Sequence, residues 1–110
     1  LLLRSKKMQL KMETSNRLYI LVSEDLAPIY GAVQGGHAIA QWMLEHSNNL
    51  YWKNETVVYL SCNVEKMKYL LEWDDISVFR EPDLNNKLTA IAVVGNPRNE
   101  RMFKKLRLLQ

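Results

Sequence analysis

The apolar positions of the chain fall into short runs separated by polar loops, and the period within each run names the element. LYILV, residues 18–22, is a continuous apolar and β-branched run, which predicts a strand buried on both faces. After the loop SEDLAP the period becomes helical over residues 29–46. At 100° per residue, Ile29, Val33, Gly36, Ala40, Met43 and Leu44 share one stripe, which is expected to face the core. Tyr30, Gln34, His37 and Gln41 form a polar row along its flank. Gly35 and Gly36 each cost roughly 1 kcal/mol relative to alanine inside a helix. Their presence implies that a ligand or a neighbouring strand comes close to the backbone.

TVVYL (56–60) predicts a second strand, and Asn63 offers an N-cap to the helix VEKMKYLLEW (64–73), whose buried side is Val64, Met67 and Leu71. ISVF (76–79) is a third short strand, REPDLNNK is turn chemistry, and LTAIAVVG is a fourth strand closed by Gly95. Asn96 and Pro97 cap and start a last helix, RNERMFKKLRLL. Strands one, two and three are joined through helices and are therefore expected to be parallel. Strands three and four are separated by a turn too short for a crossover, so strand four is antiparallel. The expected fold is a three-layer α/β/α domain with a four-stranded mixed sheet of order 2-1-4-3. Residues 1–16 read as an N-terminal extension, disordered or foreign to the domain, and 17–110 as a single domain.

Composition narrows the class. An apolar content of 47% with 25% charged residues is that of an ordinary globular chain, not a disordered or low-complexity one. No run approaches the roughly 18–20 apolar residues of a membrane helix, and LLLRSKK lacks the pattern of a signal peptide, so no membrane partner is expected. Cys62 has no second cysteine to pair with, and two histidines distant from it make no zinc set, which points to a reducing cytoplasm, no metal and no cofactor. The formal charge of +3 is unevenly placed. Residues 1–17 carry five cations against one acid, and 98–110 carry Arg98, Arg101, Lys104, Lys105 and Arg107 against Glu100. Residues 18–97 hold five cations against ten acids. Basicity is terminal and the body is acidic. The C-terminal cations are candidates for a phosphate backbone, or are simply a solvated face.

The predicted topology gathers three segments at one sheet edge: Ser23, Glu24 and Asp25 after strand one, the start of the first helix with its polar row, and the loop from Glu81 to Thr89. Open α/β sheets bind ligands at such an edge. The chain here resembles the type 2 peptidyl-tRNA hydrolase family, small α/β enzymes that cleave the ester between a peptide and the terminal ribose of tRNA. LYILVSEDL is similar to the family's first strand and its acidic exit, GAVQGGHAIAQW to the helix with a Gln followed three residues later by His, and FREPDLNNKLTAIAV to the hairpin and the Thr-led last strand. The resemblance covers residues 18–95, and EPDL before LTAIAV is similar to the compact homologues of phages and bacteria. It implies peptidyl-tRNA or N-blocked aminoacyl-tRNA as substrate, and a homodimer.

Carried over by position, Gln34 and His37 match the family's polar pair and Thr89 its strand-opening threonine. Tyr30 stands where the family has a lysine, and the loop bearing the family's aspartate is shortened, leaving Glu81 or Asp83 as its counterpart. Ester hydrolysis needs a base for water, a donor for the oxyanion and a proton for the leaving hydroxyl. His37 with Asp83, or with Glu81, is the expected catalytic set, Asp83 being preferred. Tyr30, Gln34, Thr89 and Asp25 are the expected substrate-binding residues. The alternative is a binding module of the same fold, without turnover, that grips a tRNA end, a nucleotide or a protein.

Overall fold

The computed structural model describes residues 14–48, 52–73 and 75–110. The elements run β1 (Arg17–Ser23), α1 (Pro28–Glu45), β2 (Thr56–Cys62), α2 (Val64–Tyr69), β3 (Ile76–Glu81), β4 (Lys87–Val94), α3 (Pro97–Phe103) and β5 (Arg107–Leu108), with 3₁₀ turns at Leu70–Glu72 and Pro82–Leu84. Among the described residues the sheet has five strands in the order β3-β4-β1-β2-β5. β1 and β2 are parallel, while β4 is antiparallel to both β1 and β3.

The expected four-stranded sheet is thus corrected to five. Read from its other edge, 2-1-4-3 is the first four strands of the observed order. The fifth comes from a segment expected to be helical: α3 ends at Phe103, and Arg107 and Leu108 turn extended to pair with Ser61 and Leu60. Leu106, Leu108 and Leu109 fit the period of a strand as well as that of the helix expected here. The bare edge of β2 decides it, because its backbone groups gain partners there; the Leu109 N–H also donates to the Tyr59 carbonyl at 3.1 Å.

β1 sits in the middle of the sheet, and from Leu18 to Ser23 every residue is buried. Its side chains alternate between two cores. Leu18, Ile20 and Val22 pack with Ala90, Ala92, Ala38, Trp42 and Trp52 on the α1 side. Tyr19 and Leu21 pack with Leu60, Met67, Leu70, Ile91 and Phe103 on the other. The expected caps are in place, Asn63 accepting from the Lys66 N–H and Asn96 forming a reciprocal capping box with Asn99. Of the expected extension, residues 1–13 lie outside the described residues. The rest is tied to the domain, Ser15 donating from its N–H to the Gly95 carbonyl at 2.8 Å and Asn16 accepting from Thr56.

Helix α1 overturns the expected core stripe. Ile29 is 83% exposed and Leu44 76%, with Val33 and Met43 about half exposed. The buried residues are Gly31, Gln34, Gly35, Ala38 and Trp42. At 100° per residue from Ile29 these fall at about 200°, 140°, 240°, 180° and 220°, nearly opposite the apolar stripe. The glycines explain the inversion. A Cβ on Gly31 would lie 2.8 Å from Val22 Cγ1, and one on Gly35 would run into the Tyr59 ring and lie 2.9 Å from Ile20 Cγ2. The helix backbone therefore rests directly on β1 and β2. The close approach inferred from the glycines is to strands, and at Gly35 rather than Gly36, which faces open space.

Candidate functional site at the β3–β4 hairpin

Docking α1 through its glycines turns the polar row toward β3 and β4. Gln34 becomes fully buried, and a buried amide is costly unless its donors and acceptors are engaged. Its Oε1 accepts from the Thr89 hydroxyl at 2.6 Å, and its Nε2 donates to Glu81 Oε1 at 3.0 Å. The Tyr30 hydroxyl donates to the same carboxylate oxygen at 3.4 Å. Four side chains from α1, β3 and β4 thus form one hydrogen-bonded chain, Thr89 to Gln34 to Glu81, with Tyr30 at its outer end.

Two backbone features aim these groups. The β3–β4 register passes from Phe79 opposite Ala90 to Arg80 opposite Leu88, so Thr89 is an extra residue on β4. This bulge lets Thr89 and Ala90 both serve the α1 side, and bulges re-aim side chains in this way. At the hairpin, Asn85 and Asn86 adopt φ of 56° and 60°, a left-handed conformation that asparagine tolerates well. They allow the Asn86 N–H to donate to the Glu81 carbonyl at 2.9 Å, fixing the backbone that carries the carboxylate.

The other expected residues lie around this chain without joining it. His37 stacks on Phe79, with ring centroids 4.5 Å apart and 12° between planes, and hydrogen-bonds to neither Glu81 nor Asp83. Asp83 is exposed on the 3₁₀ turn at Pro82–Leu84, near enough to Tyr30 to act on it electrostatically. Partial burial, then the Glu81 charge and hydrogen bond, then Asp83 raise the Tyr30 phenol above its ordinary pKa, so it stays a proton donor near neutrality. Asp25 pairs with Lys87 at 3.8 Å, an exposed ion pair linking the exit of β1 to the start of β4.

The sequence brought Tyr30, Gln34, His37, Glu81 and Thr89 to one edge but missed three features of it: the Phe79 platform, the Lys87 partner of Asp25 and the bulge. Phe79 was legible, since it precedes Glu81 by two residues on one strand and so shares its face. Among the described residues no three His, Cys, Asp or Glu side chains are grouped as metal ligands. The arrangement offers a fixed carboxylate, a phenolic donor and, stacked on Phe79 of the same strand as Glu81, an imidazole, groups of the kind used in acid–base chemistry. A scan of the chain against protein-family models finds no match, and a search of curated proteins returns none either.

Proposed function

We propose that the protein hydrolyses the ester of peptidyl-tRNA or of N-blocked aminoacyl-tRNA. The observation that carries this reading is the Thr89–Gln34–Glu81 hydrogen-bonded chain with Tyr30 on the same carboxylate oxygen. Glu81 Oε1 is held by two donors, leaving Oε2 to accept a proton from the attacking water. The water oxygen adds to the ester carbonyl, and the single Tyr30 hydroxyl proton turns from Glu81 to the oxyanion. The ester C–O bond breaks as the ribose oxygen takes a proton from His37, which is replaced by the proton that Glu81 took from water. Asp83 supplies a second negative charge beside Tyr30, and Thr89 and Asp25 position the groups around the substrate.

Incubation of the purified protein with N-acetylated aminoacyl-tRNA tests the reading. Release of the acyl group at catalytic protein levels supports it. No release, together with saturable binding of deacylated tRNA, supports instead a binding module without turnover. That second reading is favoured by His37, which stacks on Phe79 without a hydrogen bond to either candidate carboxylate, and by Tyr30 in the place of the family's lysine.

The same proposal includes a cytoplasmic location and a three-layer frame, α1 covering one sheet face and α2 with α3 the other, supported by the two separate cores. It includes a homodimer, for which the exposed Ile29, Val33, Met43 and Leu44 of α1 provide an apolar surface. Among the described residues no helix is long and apolar enough to cross a membrane.

A further inference from the structure

The C-terminal cations look like one basic tail in the sequence, but the fold divides them. α3 starts beyond the end of β4, where Glu100 meets Ser15 and Arg17 near the start of β1. Arg98 and Arg101 belong to that end. The chain then returns along the domain, so that Lys105 and Arg107 arrive at the opposite end, beside the carboxyl termini of the parallel strands β1 and β2. There they meet Lys66 of α2 around a cavity of about 170 Å³. Its wall includes Ser61 and Cys62 at the end of β2 and Asn63 and Glu24 just beyond β2 and β1.

Three cations from two segments far apart in sequence, Lys66 on α2 and Lys105 with Arg107 at the C-terminus, converge on this cavity against the single acid Glu24. Among the described residues none of the three is in an ion pair. Such convergence is repulsive without a counter-charge and raises the local concentration of anions. Burial pushes the Cys62 thiol up to about 11, so it adds no negative charge at neutral pH. At roughly 30 Å³ per liquid water, the cavity has room for about five or six waters, well below the roughly 300 Å³ of the smallest ordinary small-molecule sites. That volume suits one tetrahedral oxyanion, with the rest of any larger ligand lying outside the open mouth.

We propose that Lys66, Lys105 and Arg107 form a binding site for a single phosphate group. The phosphate chemistry stands on the cavity alone. Its assignment to an RNA backbone rests on the hydrolase reading, and geometry supports it: the cavity lies at the β2–β5 side of the sheet end that holds Glu81 on β3. With strands about 4.8 Å apart, three to four spacings, or about 14–19 Å, separate the two along the sheet end. A bound strand also has to round that end, because Glu81 meets Gln34 on the α1 face and Lys66 belongs to α2 on the other. A short single strand spans that distance, so one of its phosphates sits in the cavity while its terminal ribose reaches Glu81.

Two experiments on the full chain decide the matter. In the first, inorganic phosphate is titrated into ¹⁵N-labelled protein while the amides of Asn63, Lys66, Lys105 and Arg107 are followed by NMR. Saturable shifts at these amides, lost in the triple variant Lys66→Gln, Lys105→Gln, Arg107→Gln with an unchanged melting temperature, are expected. Absence of saturable shifts, or their persistence in the triple variant, overturns the site. In the second, the salt dependence of binding is measured for an RNA acceptor-stem hairpin ending in CCA. Loss of one phosphate contact should reduce the log–log slope by about 0.7–0.9, whereas Arg98→Gln with Arg101→Gln should leave it unchanged. Phosphate shifts with an unaltered RNA slope would overturn the RNA assignment and identify a free phosphate as the ligand. Phosphate shifts in a protein that fails to release acyl groups would remove the hydrolase reading and leave the site standing.

Discussion

Glu81 and Asp83 differ by two positions in sequence and by much more in what surrounds them. Glu81 accepts hydrogen bonds from the buried Gln34 and from Tyr30, and its backbone is fixed by Asn86. Asp83 stands exposed on a turn. A base must be held in place, and of the two acids only Glu81 is fixed by side-chain hydrogen bonds. In acyl-tRNA hydrolysis assays Glu81→Gln is therefore expected to lower kcat by about a hundredfold or more, with the far-ultraviolet circular dichroism unchanged. Asp83→Asn is expected to cost far less. Equal losses in the two variants would show that the carboxylates share the role, and full activity in Glu81→Gln would end its assignment as base. The sequence-level preference for Asp83 is thus reversed in this proposal, because turn composition marks both acids alike whereas the bulge and the helix dock select one.

At the scale of elements, α1 shows how periodicity can mislead. The stripe of Ile29, Val33, Met43 and Leu44 has the regular spacing of a core face, yet it points outward. What decides the orientation is distance, not hydrophobicity: glycine at positions 31 and 35 lets the backbone approach β1 and β2 more closely than any side chain would. Gly35→Ala forces a methyl into the Tyr59 ring and should destabilise the fold by about 1–3 kcal/mol, the usual cost of overpacking. Gly36→Ala meets nothing within 4 Å and should instead stabilise it by up to about 1 kcal/mol through helix propensity. Urea unfolding of the two variants checks this, and similar values for both would refute the docking argument. Strand β5 teaches the converse, since two residues with a helical pattern became a strand only because β2 presented an open edge.

At the scale of the whole molecule, two consequences concern stability and assembly. Glu100 of α3 accepts hydrogen bonds from Ser15, Tyr19 and Arg17 at 2.9, 2.8 and 3.2 Å, closing the far end of β1 onto α3. Burial opposes ionisation of this carboxyl, but the three donors and the Arg17 charge outweigh it and hold its pKa below the ordinary carboxylate range. Burial, and then Glu100, push the Tyr19 phenol up to about 12. For Glu100 the folded pKa lies below the unfolded one, so its contribution is complete above the unfolded value and is lost as pH falls through the folded one. For Tyr19 the folded pKa lies above the ordinary value near 10, so its contribution is lost as pH rises from about 10 to about 12. Melting temperatures across pH should show both declines in the wild type. The pKa values of Cys62, Tyr30 and Tyr59 are raised as well, and these groups contribute to the alkaline decline. Tyr19→Phe should therefore reduce it without removing it, and an unchanged alkaline decline would rule the Tyr19 contribution out. The outward stripe of α1 carries the second consequence. Val33 is exposed and supports no core, so Val33→Glu should leave folding intact while converting a dimer into a monomer in sedimentation analysis. A monomeric wild type at high concentration would exclude the dimer.

The sequence by itself determined the features that depend on near neighbours along the chain. The two caps at Asn63 and Asn96, the central strand at Leu18–Val22 and the hairpin that makes β4 antiparallel all follow from local composition and connection length. The gathering of Tyr30, Gln34, His37, Glu81 and Thr89 at one sheet edge follows from the same topology. Only the tertiary structure decided which side of α1 faces the sheet, which acid joins Gln34 and Thr89, and where each C-terminal cation comes to lie. These depend on contacts between residues distant in sequence: Gly35 against Tyr59, a one-residue bulge at Thr89, and Arg107 beside Ser61. Periodicity records how apolar a face is, but close packing between elements sets which face is buried, and packing is a property of the assembled core.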